Sequence, residues 1–303
     1  MPTLQQLRYL VALADTLNFS RAAERLNVTQ PTLSAQIREL EIRLGAPLFE
    51  RNRARVLPTA AGIEIARRAR GVLREIDGIR DIARDGGKAG LGGVLRLGVV
   101  HTVGAYLLSV AMPTLRKEFP DLRIYVREDR PERLLIQLAD GIHDVLALPE
   151  EPGRADFETA RLLREALLVV LPADHRLAER AVIDPSDLAG ETVLTMEPGH
   201  RLHDRIAELC RETGAELARD YEGTTLDTLR QMVATGMGIA LLPALYVRSE
   251  VMRETLVVAR PLSRGAPVRD IVLAWRRANP QRERLLGLAQ AMRKAVAGFE
   301  VKE

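Results

Sequence analysis

Cysteine is almost missing from this chain: Cys210 stands alone among 303 residues. One thiol cannot build an internal disulfide framework, and such scarcity fits a reducing compartment. Long apolar runs are missing too. The longest, such as residues 239–247, fall far short of a bilayer span. No N-terminal stretch joins a basic head, an apolar run and a cleavage site. A cytoplasmic location with no membrane partner is therefore expected, and a secreted solute-binding protein is disfavoured. Catalytic signatures are absent as well. Gly86-Gly87-Lys88 runs into alanine and makes no phosphate-binding loop. There is no Gly-x-Ser-x-Gly elbow and no His-x-x-x-His pair with a glutamate. The reading is of a protein that is not an enzyme, with no cofactor, no catalytic residues and no metal site.

What is present is ordinary in bulk, with 47% hydrophobic and 28% charged residues. The length suffices for two or three compact units. The net charge of +3 is unevenly placed. Residues 1–86 carry fourteen arginines, no lysine and ten carboxylates, whereas the rest carries thirty basic and thirty-one acidic residues. The positive surplus therefore sits in the first quarter, as a nucleic-acid partner for that segment alone would require, although a solvated basic face would look the same. Five glycines among residues 85–93 mark a flexible joint. Before it the pattern is helical. After it, strands at 94–100, 123–128, 144–148, 166–171, 192–196, 239–242, 257–261 and 268–274 alternate with helices at 104–118, 131–140, 201–213, 226–235 and 279–297, an α/β pattern.

The first sixty residues read as a winged helix-turn-helix. A helix over 4–17 precedes a short one over 21–26, with Ser20 as its cap. A tight turn at 27–29 leads into a second helix from Gln30, with Pro31 in its first turn. Leu33, Ile37 and Leu40 form its buried stripe. Gln30, Thr32, Ser34, Gln36 and Arg38 are left outside, able to bond base edges and phosphates if the helix lies in the major groove of double-stranded DNA. Ser20, Arg21, Pro31 and Thr59 join this candidate interface. Arg51, Arg53 and Arg55 follow at period two, so a hairpin would show all three on one face as a wing reaching phosphates or a narrow minor groove; the alternative is a solvated hairpin. Thr59 then starts a long helix. Its Ile65, Ala69, Val72, Ile76, Ile79 and Ala83 form a heptad seam suited to pairing two heads.

These residues carry a family resemblance. Phe19-Ser20-Arg21-Ala22-Ala23-Glu24-Arg25-Leu26, Thr29-Gln30-Pro31-Thr32-Leu33-Ser34, Leu48-Phe49-Glu50-Arg51 and Thr59-Ala60-Ala61-Gly62 closely resemble the LysR-type transcriptional regulators. The similarity runs on through Leu95-Arg96-Leu97-Gly98 and 236–243. Within that family, Tyr9-Leu10-Val11-Ala12, Thr102-Val103-Gly104-Ala105-Tyr106, Thr225-Leu226-Asp227-Thr228-Leu229-Arg230 and Ala35 are most similar to the peroxide-regulator (OxyR) branch. The resemblance implies an α+β multidomain chain. A winged helix-turn-helix would occupy 1–58 and a dimerising linker helix and hinge 59–90. A two-subdomain, periplasmic-binding-protein-like effector domain would occupy 91–303, with subdomain I at 91–162 and 267–303 and subdomain II at 163–266. It also implies a homo-oligomer built as a dimer of dimers, a promoter site and contact with RNA polymerase. One departure stands out. The branch carries a peroxide-reactive cysteine after a Gly-His pair and a resolving cysteine on the following helix. Here Gly199-His200 is followed by Arg201, and Cys210 holds the resolving position. Arginine has no thiolate chemistry, so the usual peroxide switch is missing.

For the effector, three candidate helix starts offer N–H groups to an anion: His101 and Thr102, His200 and Arg201, and Thr224 and Thr225. A small carboxylate or oxyanion would suit them, with a non-disulfide oxidative signal as the other option; alternatively the threonines only cap helices and Arg201 is solvated. His200, His203, Asp204 and Cys210 lack the fixed spacing of a metal site and read as surface polar residues. Cys210 itself reads as a small buried hydrophobe, with a redox role through an intersubunit or mixed disulfide as the alternative.

Overall fold

Local signals set the head. In the structure, a computed structural model, residues 1–52, 55–84 and 93–300 are described. Helix α1 (Leu4–Thr16) opens with a capping box between Thr3 and Gln6 and stops at Leu17 in the left-handed conformation. Helix α2 (Phe19–Arg25) is capped by Asn18, whose side chain accepts from the Arg21 N–H at 3.1 Å. Ser20 is therefore not the cap expected of it; the helix begins one residue before it, because asparagine meets the same need earlier. Helix α3 (Gln30–Leu44) has Thr29 as its cap, Pro31 in its first turn and Gly45 as its left-handed stop. Leu10, Leu13, Ala22, Ala23, Leu33, Ile37 and Leu40 close one core between the three helices.

The wing pairs β1 (Phe49–Asn52) with β2 (Arg55–Pro58), Arg51 opposite Val56 and Asn52 opposite Arg55. The chain reverses between Asn52 and Arg55, so period two does not carry across the turn, and one shared face for the arginines does not follow from their spacing. Arg53 lies outside the described residues, and so do the side chains of Arg51 and Ala83 and the glycine-rich joint apart from Gly93. Glu41 fixes the wing's root, its carboxylate accepting from the N–H groups of Leu48 and Phe49 at 2.9 and 3.2 Å.

Helix α4 (Ala60–Arg84) takes its first-turn bond from Thr59, which also donates to the Pro47 carbonyl at 2.8 Å. Its seam divides. Ala69 is buried and Ile65 packs on the head core, whereas Val72 and Ile79 are 45% and 61% exposed. The helix also docks on the following domain. Arg70 reaches both Asp15 of α1, at 2.6 Å, and the Asp140 carbonyl, at 3.4 Å; Arg74 donates to the Gly141 carbonyl at 2.7 Å.

That domain is a continuous sheet ordered β4-β3-β5-β11-β6-β9-β7-β8, with β10 also on β6. In chain order the elements are β3 (Gly93–Val99), α5 (Gly104–Glu118), β4 (Leu122–Glu128), α6 (Pro131–Ala139), β5 (Val145–Leu148), β6 (Phe157–Pro172), β7 (Thr192–Met196), α7 (Arg201–Thr213), β8 (Glu216–Gly223), α8 (Leu226–Ala234), β9 (Ile239–Pro243), α9 (Ala244–Glu250), β10 (Val257–Arg260), β11 (Val268–Arg276) and α10 (Arg282–Val296). The β3–β4, β3–β5, β7–β8 and β7–β9 pairs are parallel. Strand β6 spans both halves, pairing with β11 up to Ala166 and with β9 from Leu167. Among the described residues no helix is long and apolar enough to cross a membrane.

A tight approach joins wing and linker: a Cβ at Gly62 would overlap the Leu48 carbonyl. Gly62→Ala should force α4 off the wing root and destabilise the head by roughly 1–3 kcal/mol, as overpacking does. Chemical denaturation of the full chain reads this as an earlier head transition; an unchanged midpoint would contradict the contact.

Candidate DNA-binding and effector sites

On α3 the apolar stripe faces the core and the opposite side is free of it. Gln30, Pro31, Thr32 and Arg38 are exposed, and Ser34 is half-buried. Gln36 is less available than its position promised. It is half-buried, accepts from the Gln6 amide at 3.2 Å and donates to Glu39 at 3.3 Å. Ser20 and Arg21 lie exposed at the start of α2, and Arg55 is exposed on the wing. Thr59 is half-buried and spends its hydroxyl on the wing root and the α4 cap. An exposed helix face beside an arginine-bearing hairpin is the geometry that enters a groove and grips the flanking backbone.

The second site lies where the parallel strands end, the usual place for ligands on open α/β sheets. His101 follows β3 and pairs with Glu128 at the end of β4, 3.0 Å away. Thr102 is 3% exposed rather than open to solvent. Its carbonyl and hydroxyl accept from Arg269 at 3.0 and 3.4 Å. Arg269 is itself buried against Glu165, Nε to Oε1 at 2.7 Å, and the other oxygen of Glu165 accepts from the Leu245 N–H at 2.8 Å. His200 caps α7 through Nδ1, which accepts from the Leu202 N–H at 3.2 Å. Burial and then the Arg269 charge hold its pKa below the ordinary histidine range, which keeps the ring neutral at pH 7. The structure thus joins Thr102 to the unforeseen Arg269, whose charge also acts on His200.

Arg201 is exposed, yet it is not merely solvated. Its Nε lies 2.8 Å from Glu150, which follows β5. A second pair, Arg130 with Glu197 at 3.2 Å, joins the same two parts of the chain. Thr224 and Thr225 are exposed; Thr225 caps α8 through the Thr228 N–H at 3.1 Å. Among the described residues no hydrogen bond or ion pair ties either threonine to Arg201 or Arg269. Asp227, in the first turn of α8, accepts instead from Tyr106 and Tyr246 at 3.3 and 3.1 Å. Arg269, Glu165 and Glu150 were missed because their partners lie far off in sequence. The one local hint was a charged pair, Arg269-Asp270, inside an apolar strand.

Residues 4–63 match the bacterial regulatory helix-turn-helix protein, lysR family, and residues 88–297 match the LysR substrate binding domain. The chain belongs to the LysR family. The "DNA-binding transcriptional dual regulator OxyR" of Escherichia coli K12 is 41% identical over 295 residues, 97% of this chain and 96% of that protein. The "probable hydrogen peroxide-inducible genes activator" of Streptomyces viridosporus is 35% identical, covering 99% and 96%. Among solved structures, a full-length OxyR variant of Pseudomonas aeruginosa gives a TM-score of 0.79 at 35% identity, covering 99% of this chain and 98% of that one. A hydrogen-peroxide-bound OxyR mutant of Corynebacterium glutamicum gives 0.65 at 28%, covering 100% and 98%. This LysR-family chain is a transcriptional regulator and not an enzyme.

Its one thiol is buried on α7, 4% exposed. Cys210 lies nine positions after Arg201, which on a helix is about 13 Å of rise and a net half turn, onto opposite faces. A bridge needs Cα atoms within roughly 7 Å, so α7 as folded could not join these two positions even if both were cysteine. Burial pushes the Cys210 thiol up to about 11. The neutral thiol therefore persists until pH rises through that value. Iodoacetamide at pH 7.5 should leave the folded protein almost unlabelled and label it fully in urea, with intact mass as the readout. Rapid labelling of the folded chain would show an accessible thiolate.

Proposed function

We propose that this LysR-family regulator binds promoter DNA as a dimer of dimers and answers to a small anion rather than to disulfide formation. In this reading residues 1–58 grip DNA, 59–90 pair subunits and 91–303 sense the effector and engage RNA polymerase. The observation that carries the signal's chemistry is Arg201. An exposed guanidinium opens α7, next in the chain to the capping His200, where the resemblance assigns a reactive cysteine. Guanidinium groups recognise carboxylates and oxyanions through several N–H donors at once. The exposed Val72 and Ile79 of α4 support pairing of linker helices. The names of the relatives support a second reading, a peroxide-responsive activator acting through Cys210 in an intersubunit or mixed disulfide; the buried thiol weighs against it.

For DNA, Arg55→Ala should weaken binding to all duplexes alike and reduce the salt slope by roughly 1. Gln30→Ala should instead change the ranking among sequences, by about 1–3 kcal/mol at one base pair. Fluorescence anisotropy at several salt concentrations separates the two, and matching profiles would defeat the assigned docking. For the signal, calorimetry with small organic acids should show binding by the wild type that Arg201→Ala loses. Hydrogen peroxide should leave promoter output little changed. Strong peroxide activation abolished by Cys210→Ser would favour the second reading.

A further inference from the structure

Helix α6 ends at Ala139, and its last carbonyls need donors from elsewhere. Three arginines supply them at and just past the helix end. Arg276 of β11 donates to the carbonyls of Leu138 and His143, Arg74 to that of Gly141 at 2.7 Å, and Arg70 to that of Asp140 at 3.4 Å. Arg276 belongs to the effector domain, whereas Arg70 and Arg74 come from the linker helix. Gly141 makes room for the second of these. It takes the left-handed conformation, at φ 72°, and a Cβ there would overlap the Arg74 guanidinium.

The cations are crowded and short of counter-charge. Among the described residues neither Arg74 nor Arg276 forms an ion pair; their acceptors are main-chain carbonyls. Asp144 is the carboxylate whose charge supports both, yet it is buried and accepts from the Arg96 N–H at 2.8 Å instead. Burial, and then the charge of Arg74, hold the pKa of Arg276 down to about 10. The linker is therefore held by directional carbonyl acceptors at the negative end of a helix, which dictate where each donor must stand. Helix α4 also divides its faces. Arg70, Arg74 and Gly78 recur every four residues, and a Cβ at Gly78 would touch the Gln281 amide just before α10, so this stripe faces the effector domain. Ile79 comes nine positions after Arg70, about 180° around the helix, and Val72 points the same way. Docking thus leaves the exposed apolar face of α4 open to a second linker helix.

We infer that the carbonyl end of α6 is a socket for the linker helix, in which Arg74, seated over Gly141, fixes the angle at which α4 and the DNA-binding head leave the effector domain. Arg74 is a positioning residue, acting through the placement of the heads and not through a contact of its own with DNA. Arg70 supports it, because the same guanidinium holds Asp15 of α1 at 2.6 Å. Where two linker helices pair, this angle sets the separation of the two heads, and hence the spacing of DNA half-sites that both can reach. That last step rests on the pairing of subunits in the proposed function.

The test uses the full-length protein and duplexes that the wild type enriches from a random pool, with the separation of their half-sites then changed by about half a helical turn. Fluorescence anisotropy gives the discrimination between the two spacings, and a duplex with one half-site gives the grip of the head alone. The wild type should discriminate. Arg74→Met, which keeps an apolar stem and loses the donors, should cut that discrimination about tenfold, as for the loss of one hydrogen bond from a charged donor. Gly141→Ala should do the same with the arginine intact. The double variant should match Arg74→Met, because the added methyl acts by displacing the guanidinium. Binding to one half-site should stay at the wild-type level throughout. If the wild type discriminates and Arg74→Met does so equally, the socket is overturned and the paired heads stand. If Arg74→Met weakens one half-site as much as two, the arginine only stabilises the fold and the socket is overturned as well. If the wild type binds both spacings alike, the paired heads and the socket fall together.

Discussion

The effector domain turns on one buried ion pair. Glu165 and Arg269 are almost completely excluded from solvent, and each must have its charge answered inside the protein. The answers come from four places. Arg269 of β11 meets Glu165 of β6 and the carbonyl and hydroxyl of Thr102 after β3; Glu165 also accepts from the Leu245 N–H in the first turn of α9. Glu165 lies just where β6 leaves β11 for β9, so the pair sits at the crossing between the two halves of the sheet. Removing one member of such a pair costs about 3–5 kcal/mol, because the survivor is left as an uncompensated buried charge. The same pair fixes the Arg269 charge, which adds to burial in lowering the pKa of His200.

Much of this was legible in the residues, and the failures have a common cause. Helices α5 and α7 begin and end where apolar periodicity and their flanking residues place them. Strand β6 was legible only in its apolar second half. Residues 158–165 include Glu158, Arg161, Arg164 and Glu165, a polar stretch that is strand because β11 pairs along it. Strand β8 is an edge strand rich in Glu, Arg and Asp, and helix α9 follows β9 without a loop, so an apolar run hid the change of element. At the site, Thr102 and His200 stood out because they open local segments. Arg269 and Glu150 take their meaning from partners 167 and 51 positions away in the chain, which no local pattern encodes.

The linker helix extends these constraints to the head. Arg70 and Arg74 of α4 and Arg276 of β11 all donate to carbonyls at or just past the end of α6, where a helix presents its unsatisfied acceptors. The other end of α6 carries Arg130, paired with Glu197 just past β7. One nine-residue helix therefore contacts the β7 side at one end and, at the other, the helix that follows the head. Arg70 adds a direct tie, since it also binds Asp15 of α1. Among the described residues, polar contacts run from the head through the linker helix to α6 and on to Glu197.

Replacing a thiol by a guanidinium changes the kind of signal such a frame can read. A thiolate registers peroxide by a covalent step, and its response follows reaction rate more than occupancy. A guanidinium registers an anion only while the anion is bound. The influence of any bound anion is then limited to its difference in affinity between the conformations available to the protein, whatever the absolute affinity.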